Sequence, residues 1–180
     1  MKRLLQSVLL SLVCTLYVGV APAFAQRGQT RHGFWFNGGL GYGSLGCDNC
    51  GTRTGSWSGG VSLGGTVNPH LLLGVGTAGW TKSENGATLT VGTLDARARV
   101  YPKASGGFFL TGGLGVGSIS AALAGFGGAS ETGVAFLLGL GYDIRVGPNA
   151  SLTPFWNGFA VRSSNSNSNV GQFGLSVTIH

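Results

Sequence analysis

Past the first twenty-five residues, the chain alternates between large apolar and small or polar side chains. Residues 133–146 read Gly-Val-Ala-Phe-Leu-Leu-Gly-Leu-Gly-Tyr-Asp-Ile-Arg-Val. Val134, Phe136, Leu138, Leu140, Tyr142 and Ile144 fall on one face, and Ala135, Leu137, Gly139, Gly141, Asp143 and Arg145 on the other. A period of two is the signature of a strand, here with one face suited to lipid and one to a crowded interior. Phe34, Phe36, Leu40 and Tyr42 share a face in a first strand, and Trp57, Val61, Leu63 and Val67 in a second. Leu71, Leu73 and Val75 begin a third that runs towards Trp80. Leu94, Ala96, Ala98 and Val100 alternate with Asp95, Arg97, Arg99 and Tyr101 in a fourth. Phe108, Leu110, Leu114 and Val116 mark a fifth, residues 133–146 a sixth and residues 151–161 a seventh. Phe173, Leu175, Val177 and Ile179 close the chain as an eighth. Each runs about 10 to 14 residues, enough for a tilted strand to cross a hydrocarbon core. Two stretches leave the phase open, around Gly92 and through 151–161, where a bulge would shift the alternation.

The connections sort into two sets. Asn68-Pro69-His70, residues 102–105 and residues 147–150 are short and contain Pro, which cannot sit centrally in a sheet. Residues 44–55, 83–86, 121–130 and 163–169 make the other set. With both termini periplasmic, the Pro turns all lie inside and the second set outside, giving short inner turns and generally longer outer loops. A soluble β-sandwich would also alternate, but its outward face should be charged. Here the non-apolar face is mainly Gly, Ser, Thr and Ala, which suits the narrow interior of a closed barrel.

Composition supports a lipid solvent. Charged residues are 9% of the 180, and Gly numbers 35 without any collagen period. An apolar content of 43% is wrong for a solvated coil. After Ala25 no run of 18 apolar residues remains, so a transmembrane helix is not available. The N-terminus has the layout of a cleavable export signal. Lys2 and Arg3 precede an apolar run over residues 4–20, and Ala23-Phe24-Ala25 offers a small-x-small cleavage site. Residues 1–25 are therefore read as a signal peptide and 26–180 as one barrel domain. Cleavage leaves nine basic against five acidic residues, a net charge near +4, scattered rather than clustered. Nothing in that distribution makes a nucleic-acid footprint.

The last strand carries a motif. Residues 170–180, Val-Gly-Gln-Phe-Gly-Leu-Ser-Val-Thr-Ile-His, resemble the closing strand of bacterial outer-membrane barrels, which ordinarily ends in an aromatic residue; this one ends Ile179-His180. Residues 141–147, followed by Ser151-Leu152-Thr153-Pro154-Phe155, look like the late hairpin of the OmpA-like barrel domains. The resemblance implies an all-β, antiparallel, up-and-down transmembrane barrel of about eight strands, monomeric in the bacterial outer membrane. Its surroundings would be outer-membrane lipid and lipopolysaccharide. The barrel-assembly machinery would read the strand bearing Phe173, Leu175, Val177 and Ile179. No cofactor is implied.

Several residues are candidates for chemistry. Asp95, Arg97, Arg99, Asp143 and Arg145 point inward on the alternation, because Arg on a lipid face costs roughly 2–4 kcal/mol near the midplane. They would form either an ion-pair plug across the lumen near its periplasmic half or the constriction of a small pore. Cys47 and Cys50 sit in the first outer loop. Their spacing admits redox chemistry or half a zinc site, but no helix N-terminus or further mature Cys supports either, and a local disulfide is expected. His32, His70 and His180 map to the periplasmic rim with no carboxylate foreseen beside them, so no metal site is expected. The Ser-rich residues 163–169 lie at the opposite end from every His, which separates any nucleophile from its base and argues against an enzyme. Phe34, Trp35, Phe36, Trp57, Trp80, Phe155, Trp156 and Phe159 read as interfacial girdle. The function expected is a structural or surface-contact role without catalysis. The alternative is a passive small-solute pore lined by the Asp and Arg residues, and less favoured is a lipid-modifying enzyme.

Overall fold

The computed structural model describes residues 31–47, 51–123, 125, 127–164 and 166–180. The export segment 1–25 and Cys50 lie outside the described residues. The chain forms β1 (Phe34–Cys47), β2 (Thr54–Asn68), β3 (Leu71–Glu84), β4 (Ala87–Val100), β5 (Phe108–Leu123), β6 (Gly127–Tyr142), β7 (Ile144–Arg145), β8 (Ala150–Arg162) and β9 (Asn167–Ile179). The two-residue β7 continues β6 past Asp143, and β8 pairs with both, so the wall is eight strands round. Sequence neighbours pair antiparallel, and β1 pairs with β9 from Phe36↔Ile179 to Cys47↔Ser168 to close the barrel. At this seam Gly41 faces Gly174. A Cβ on Gly41 would stand 2.1 Å from the Phe173 carbonyl oxygen, and one on Gly174 2.3 Å from that of Leu40. The first and last strands therefore approach only because both positions lack a side chain.

Every strand read from the alternation is present, with its apolar face outward. Leu40, Leu94, Leu114, Leu138 and Leu175 are all more than half exposed. Neither doubtful stretch contains a bulge. Register runs unbroken through Gly92 and along the whole of β8, and the irregularity lies instead between Thr66 and Asn68. In β8 the odd residues 151–161 face inward and the even ones outward. The loops are shorter than the sequence suggests, because strands run on where polar residues implied a connection. β5 and β6 leave only residues 124–126 between them, and β3 and β4 only Asn85-Gly86. Both of these have positive φ, 51° and 77°, the two-residue turn that matches strand twist.

Call the end where β1 begins and β9 ends proximal and the other distal. The interior is layered between them. Trp35, Leu72, Tyr101 and Phe109 make a proximal apolar layer. Leu45, Trp80, Val91, Leu137, Phe159, Val161 and Val170 belong to a distal one. Buried polar side chains fill the middle, among them Asn37, Ser62, Asp95, Arg97, Thr111, Gln172 and Ser176. Trp35, Trp80 and Phe159 are thus core residues at 2% exposure or less, not girdle as the aromatic count suggested. Of the aromatics read as girdle, Phe34, Phe36, Trp57 and Trp156 do face outward, whereas Phe155 takes the inward parity of β8. Trp57 lies opposite Tyr42, Tyr42 opposite Phe173 and Phe173 opposite Trp156, so one aromatic line crosses β2, β1, β9 and β8, the placement of an interfacial girdle.

Candidate functional site

The five predicted lumen charges do not form one cluster. Asp95 and Arg97 sit two residues apart on β4, so they share the inward face and pair along the strand rather than across the lumen. Arg97 Nε donates to Asp95 Oδ1 at 2.8 Å and Nη2 to Oδ2 at 2.7 Å, the two-pronged geometry that makes such pairs strong. Two glycines give this pair its room. A Cβ on Gly113 would lie 2.5 Å from Asp95 Oδ1, and one on Gly76 2.6 Å from Arg97 Cζ. Arg99, 4% exposed, makes no ion pair with the Asp95 site. Its guanidinium carbon lies 4.3 Å from the Phe109 ring centre and 5.0 Å from that of Trp35, which stabilises the cation through the ring faces. Nε and Nη1 of Arg99 have no hydrogen-bond partner among the described residues. Arg97, Arg99, Asn37, Asn157, Gln172 and Ser176 border a cavity of about 30 Å³, room for about two water molecules.

Asp143 belongs to a second network at the proximal end, where the charge of Arg99 also acts on it and a further cation, Arg31, is one the sequence did not reveal. Its Oδ2 accepts the Tyr101 hydroxyl at 2.8 Å and its Oδ1 the Thr153 hydroxyl at 2.7 Å. Arg31 Nη2 and His180 Nε2 both stand 3.8 Å from Oδ2, within ion-pair range and too far for direct hydrogen bonds. Arg31 lies over the Tyr101 ring at 3.4 Å and donates to the carbonyls of Ala104 at 2.8 Å and Gly106 at 2.6 Å. Arg31, just before β1, therefore lies across the proximal opening. No alternation reaches Arg31, so strand parity had no way to place it. Arg145 is spent on its own turn, donating to the carbonyls of Gly147 and Pro148. His180 does have a carboxylate beside it, contrary to the sequence reading, while His32 is exposed and His70 meets the Tyr101 carbonyl at 2.8 Å. Among the described residues no three His, Cys, Asp or Glu side chains gather as metal ligands. Cys47 is disulfide-bonded. At the distal end, Ser163 of the Ser-rich tract donates to Glu131 at 2.6 Å.

The distal end is built on an inverted pattern. Through the membrane-facing part of each strand, apolar side chains face out. Beyond Gly92, the outward positions become Thr90 and Thr88 on β4, Ser118 and Ser120 on β5, and Ser130 and Thr132 on β6, while the inward ones become Val91, Leu89, Ile119, Ala121, Leu123 and Ala129, with Glu131 a charged exception opposite Ile119. Outward polar pairs confirm the face, with Thr81 to Thr90 at 3.2 Å, Ser83 to Thr88 at 2.8 Å and Ser120 to Ser130 at 3.0 Å. Residues 127–133 of β6 pair with β5 but not with β8, whose pairing starts at Val134↔Arg162. The β4–β5–β6 tips so project as a flap, and its concave apolar face backs an open basin of about 730 Å³. Leu45 and Trp80 line its base, and Trp80 Nε1 donates to the Gly43 carbonyl at 3.0 Å. On the β3 side, Lys82 Nζ lies 2.6 Å from Glu84 Oε2, and its hydrogen bond and charge hold the Glu84 carboxyl below its usual range.

A closed wall with an apolar belt, aromatic line and filled polar centre describes a transmembrane barrel, and the comparisons agree. A family model described as the outer membrane protein beta-barrel domain matches residues 10–180. The chain belongs to that family. Among solved structures this family member is similar to neisserial surface protein A, at 15% identity and a TM-score of 0.62, covering 84% of this chain and 99% of that one. It is also similar to Ail, the attachment invasion locus protein of Yersinia pestis, at 12% identity and a TM-score of 0.62, covering 83% and 100%. The N-terminal β-barrel domain of Pseudomonas aeruginosa OprF gives 12% identity and a TM-score of 0.52 over 83% and 98%. Identities this low establish a shared fold. No curated protein matches the chain in sequence. Family and fold together place this outer-membrane barrel protein in the bacterial outer membrane.

Proposed function

We propose that the protein is a closed, non-catalytic barrel whose distal end is a surface-contact site. Export would remove residues 1–25, leave both termini in the periplasm and present the distal basin to the outside. The observation that carries this reading is the layered interior. Two apolar layers bracket a polar middle whose cavity of about 30 Å³ has no room for a solute path. The open concave surface lies at the distal end instead. Lipid and lipopolysaccharide would meet the outward apolar belt, and the assembly machinery would read β9 through Phe173, Leu175, Val177 and Ile179, which all face out.

Two measurements test the proposal. In planar bilayers the refolded barrel should pass no steady single-channel current, and neither should a variant with Arg97→Ala and Arg99→Ala. Steady conductance that the variant alters in size or selectivity would instead make those arginines a pore constriction. For orientation, a Cys at Asn85 should react with an impermeant maleimide on intact cells, and a Cys at Lys103 only after permeabilisation. The reverse pattern would turn the barrel over.

A further inference from the structure

The inverted pattern of the flap needs a physical reason. Strand tips that stand in water normally keep their apolar side chains out of it, yet here Leu123 is 57% exposed on the concave face while the convex face is lined with Ser and Thr. Apolar surface gathered in a concavity of about 730 Å³ falls within the roughly 300–1,000 Å³ of small-molecule sites. The lining is also divided by polarity. Leu89, Ala121, Leu123 and Ala129 form the aliphatic side on β4, β5 and β6, while Thr54, Lys82 and Glu84 supply the polar side chains on β2 and β3. Small aliphatic residues make a smooth slot without the deep pockets that protein side chains need. The one indole at its base has its N–H already bonded, so it offers only carbon.

We infer that the distal basin binds a single long acyl chain that carries an anionic head group, with the chain against the flap and Trp80 and the head at Lys82. Charge chemistry picks out the anionic class. The Lys82 ammonium lies on the polar side of the basin and is one-third exposed, and its partner Glu84 is almost two-thirds exposed. Exposed pairs of this kind contribute little, so a ligand carboxylate can replace Glu84 at small cost. Glu84 then acts as a competitor, which gives the proposal a sign that bilayer partitioning cannot mimic. The inference rests on the surface role only for the side from which the ligand arrives.

The test uses full-length mature protein in phosphatidylcholine nanodiscs, with Trp57→Phe and Trp156→Phe to remove the lipid-facing indoles. A terminally brominated dodecanoate quenches an indole it touches. The expected result is saturable quenching that disappears in a further Trp80→Phe variant, since Trp35 lies in the proximal layer. Shortening the chain should weaken binding by up to about fourfold per methylene. Lys82→Met should weaken it, and Glu84→Gln strengthen it, each by up to about fivefold. Ala87→Leu with Ala121→Leu should abolish saturation, in protein whose heat-shifted gel mobility shows a folded barrel. Quenching that rises linearly with probe and is the same in the filled variant would be bilayer partitioning and would overturn the site. Equal affinity for the matching alcohol, unmoved by Lys82→Met, would overturn the anionic head. Neither result bears on the closed lumen, which conductance decides separately.

Discussion

At the scale of single residues, the interior depends on how each buried charge is matched. Asp95 and Arg97 are 2% and 8% exposed and bonded twice to each other. Breaking such a pair leaves one buried charge uncompensated, which costs about 3–5 kcal/mol, whereas replacing both members with apolar residues of similar size is often close to neutral. Asp95→Asn should therefore lower stability by about 3 kcal/mol in urea unfolding from lipid vesicles, and Asp95→Leu with Arg97→Met should recover most of that loss. If the double replacement were as unstable as the single one, the pair would matter for more than charge compensation. Parity alone put both residues in the lumen. It did not give their pairing, because alternation fixes the face of a side chain and not the direction in which it lies along that face. Residues i and i+2 sit roughly 7 Å apart on one strand, close enough for a long Arg side chain to fold back on its neighbour. Arg31 was out of reach for a different reason: it lies before the first strand, in a segment with no period to read.

At the scale of elements, the wall was legible and its distal margin was not. The outward apolar positions are set by lipid, so a simple alternation found all eight strands and the Pro turns between them. Where the strands leave the membrane the solvent changes, and the same backbone then carries polar residues outward. Sequence alone shows that change as a loss of phase near Gly92 or as a loop over residues 121–130, although the register is continuous. Trp80 and Phe159 were misassigned by the same logic, since an aromatic near a strand end suits the girdle and the distal layer equally. The flap has one consequence that can be measured. Among the described residues, 127–133 pair with β5 and with no strand on the other side, where the Ser163 hydroxyl donates to Glu131. Local opening should begin there. In hydrogen exchange, amides of residues 127–132 should exchange well before those of residues 134–141, which β5 and β8 hold from both sides. Uniform protection along β6 would mean that the flap is as firmly held as the wall.

At the scale of the molecule, the interior holds two apolar layers in series, and on the proposed closed barrel that arrangement makes a prediction unlike that of a single ion-pair plug. Trp35 is the bulkiest side chain of the proximal layer and Trp80 of the distal one, and both are essentially fully buried. Their truncation to Ala should cost about 3–5 kcal/mol each, as for large aromatic side chains elsewhere, but the effect on conduction should not follow the effect on stability. Trp35→Ala leaves the distal layer of Leu45, Leu137, Phe159 and Val161 intact, and Trp80→Ala leaves Leu72, Tyr101 and Phe109 with Arg31 across the proximal opening. Each single variant should therefore stay silent in planar bilayers, and current should first appear when both are truncated. Conduction by Trp35→Ala alone would show that the distal layer already leaks and that the proximal aromatics are the sole gate. Conduction by Trp80→Ala alone would place the gate at the other end, where the basin meets the lumen. Silence from the double variant, with the barrel folded, would assign closure to the polar middle, and Arg97 and Arg99 would then be the residues to remove next.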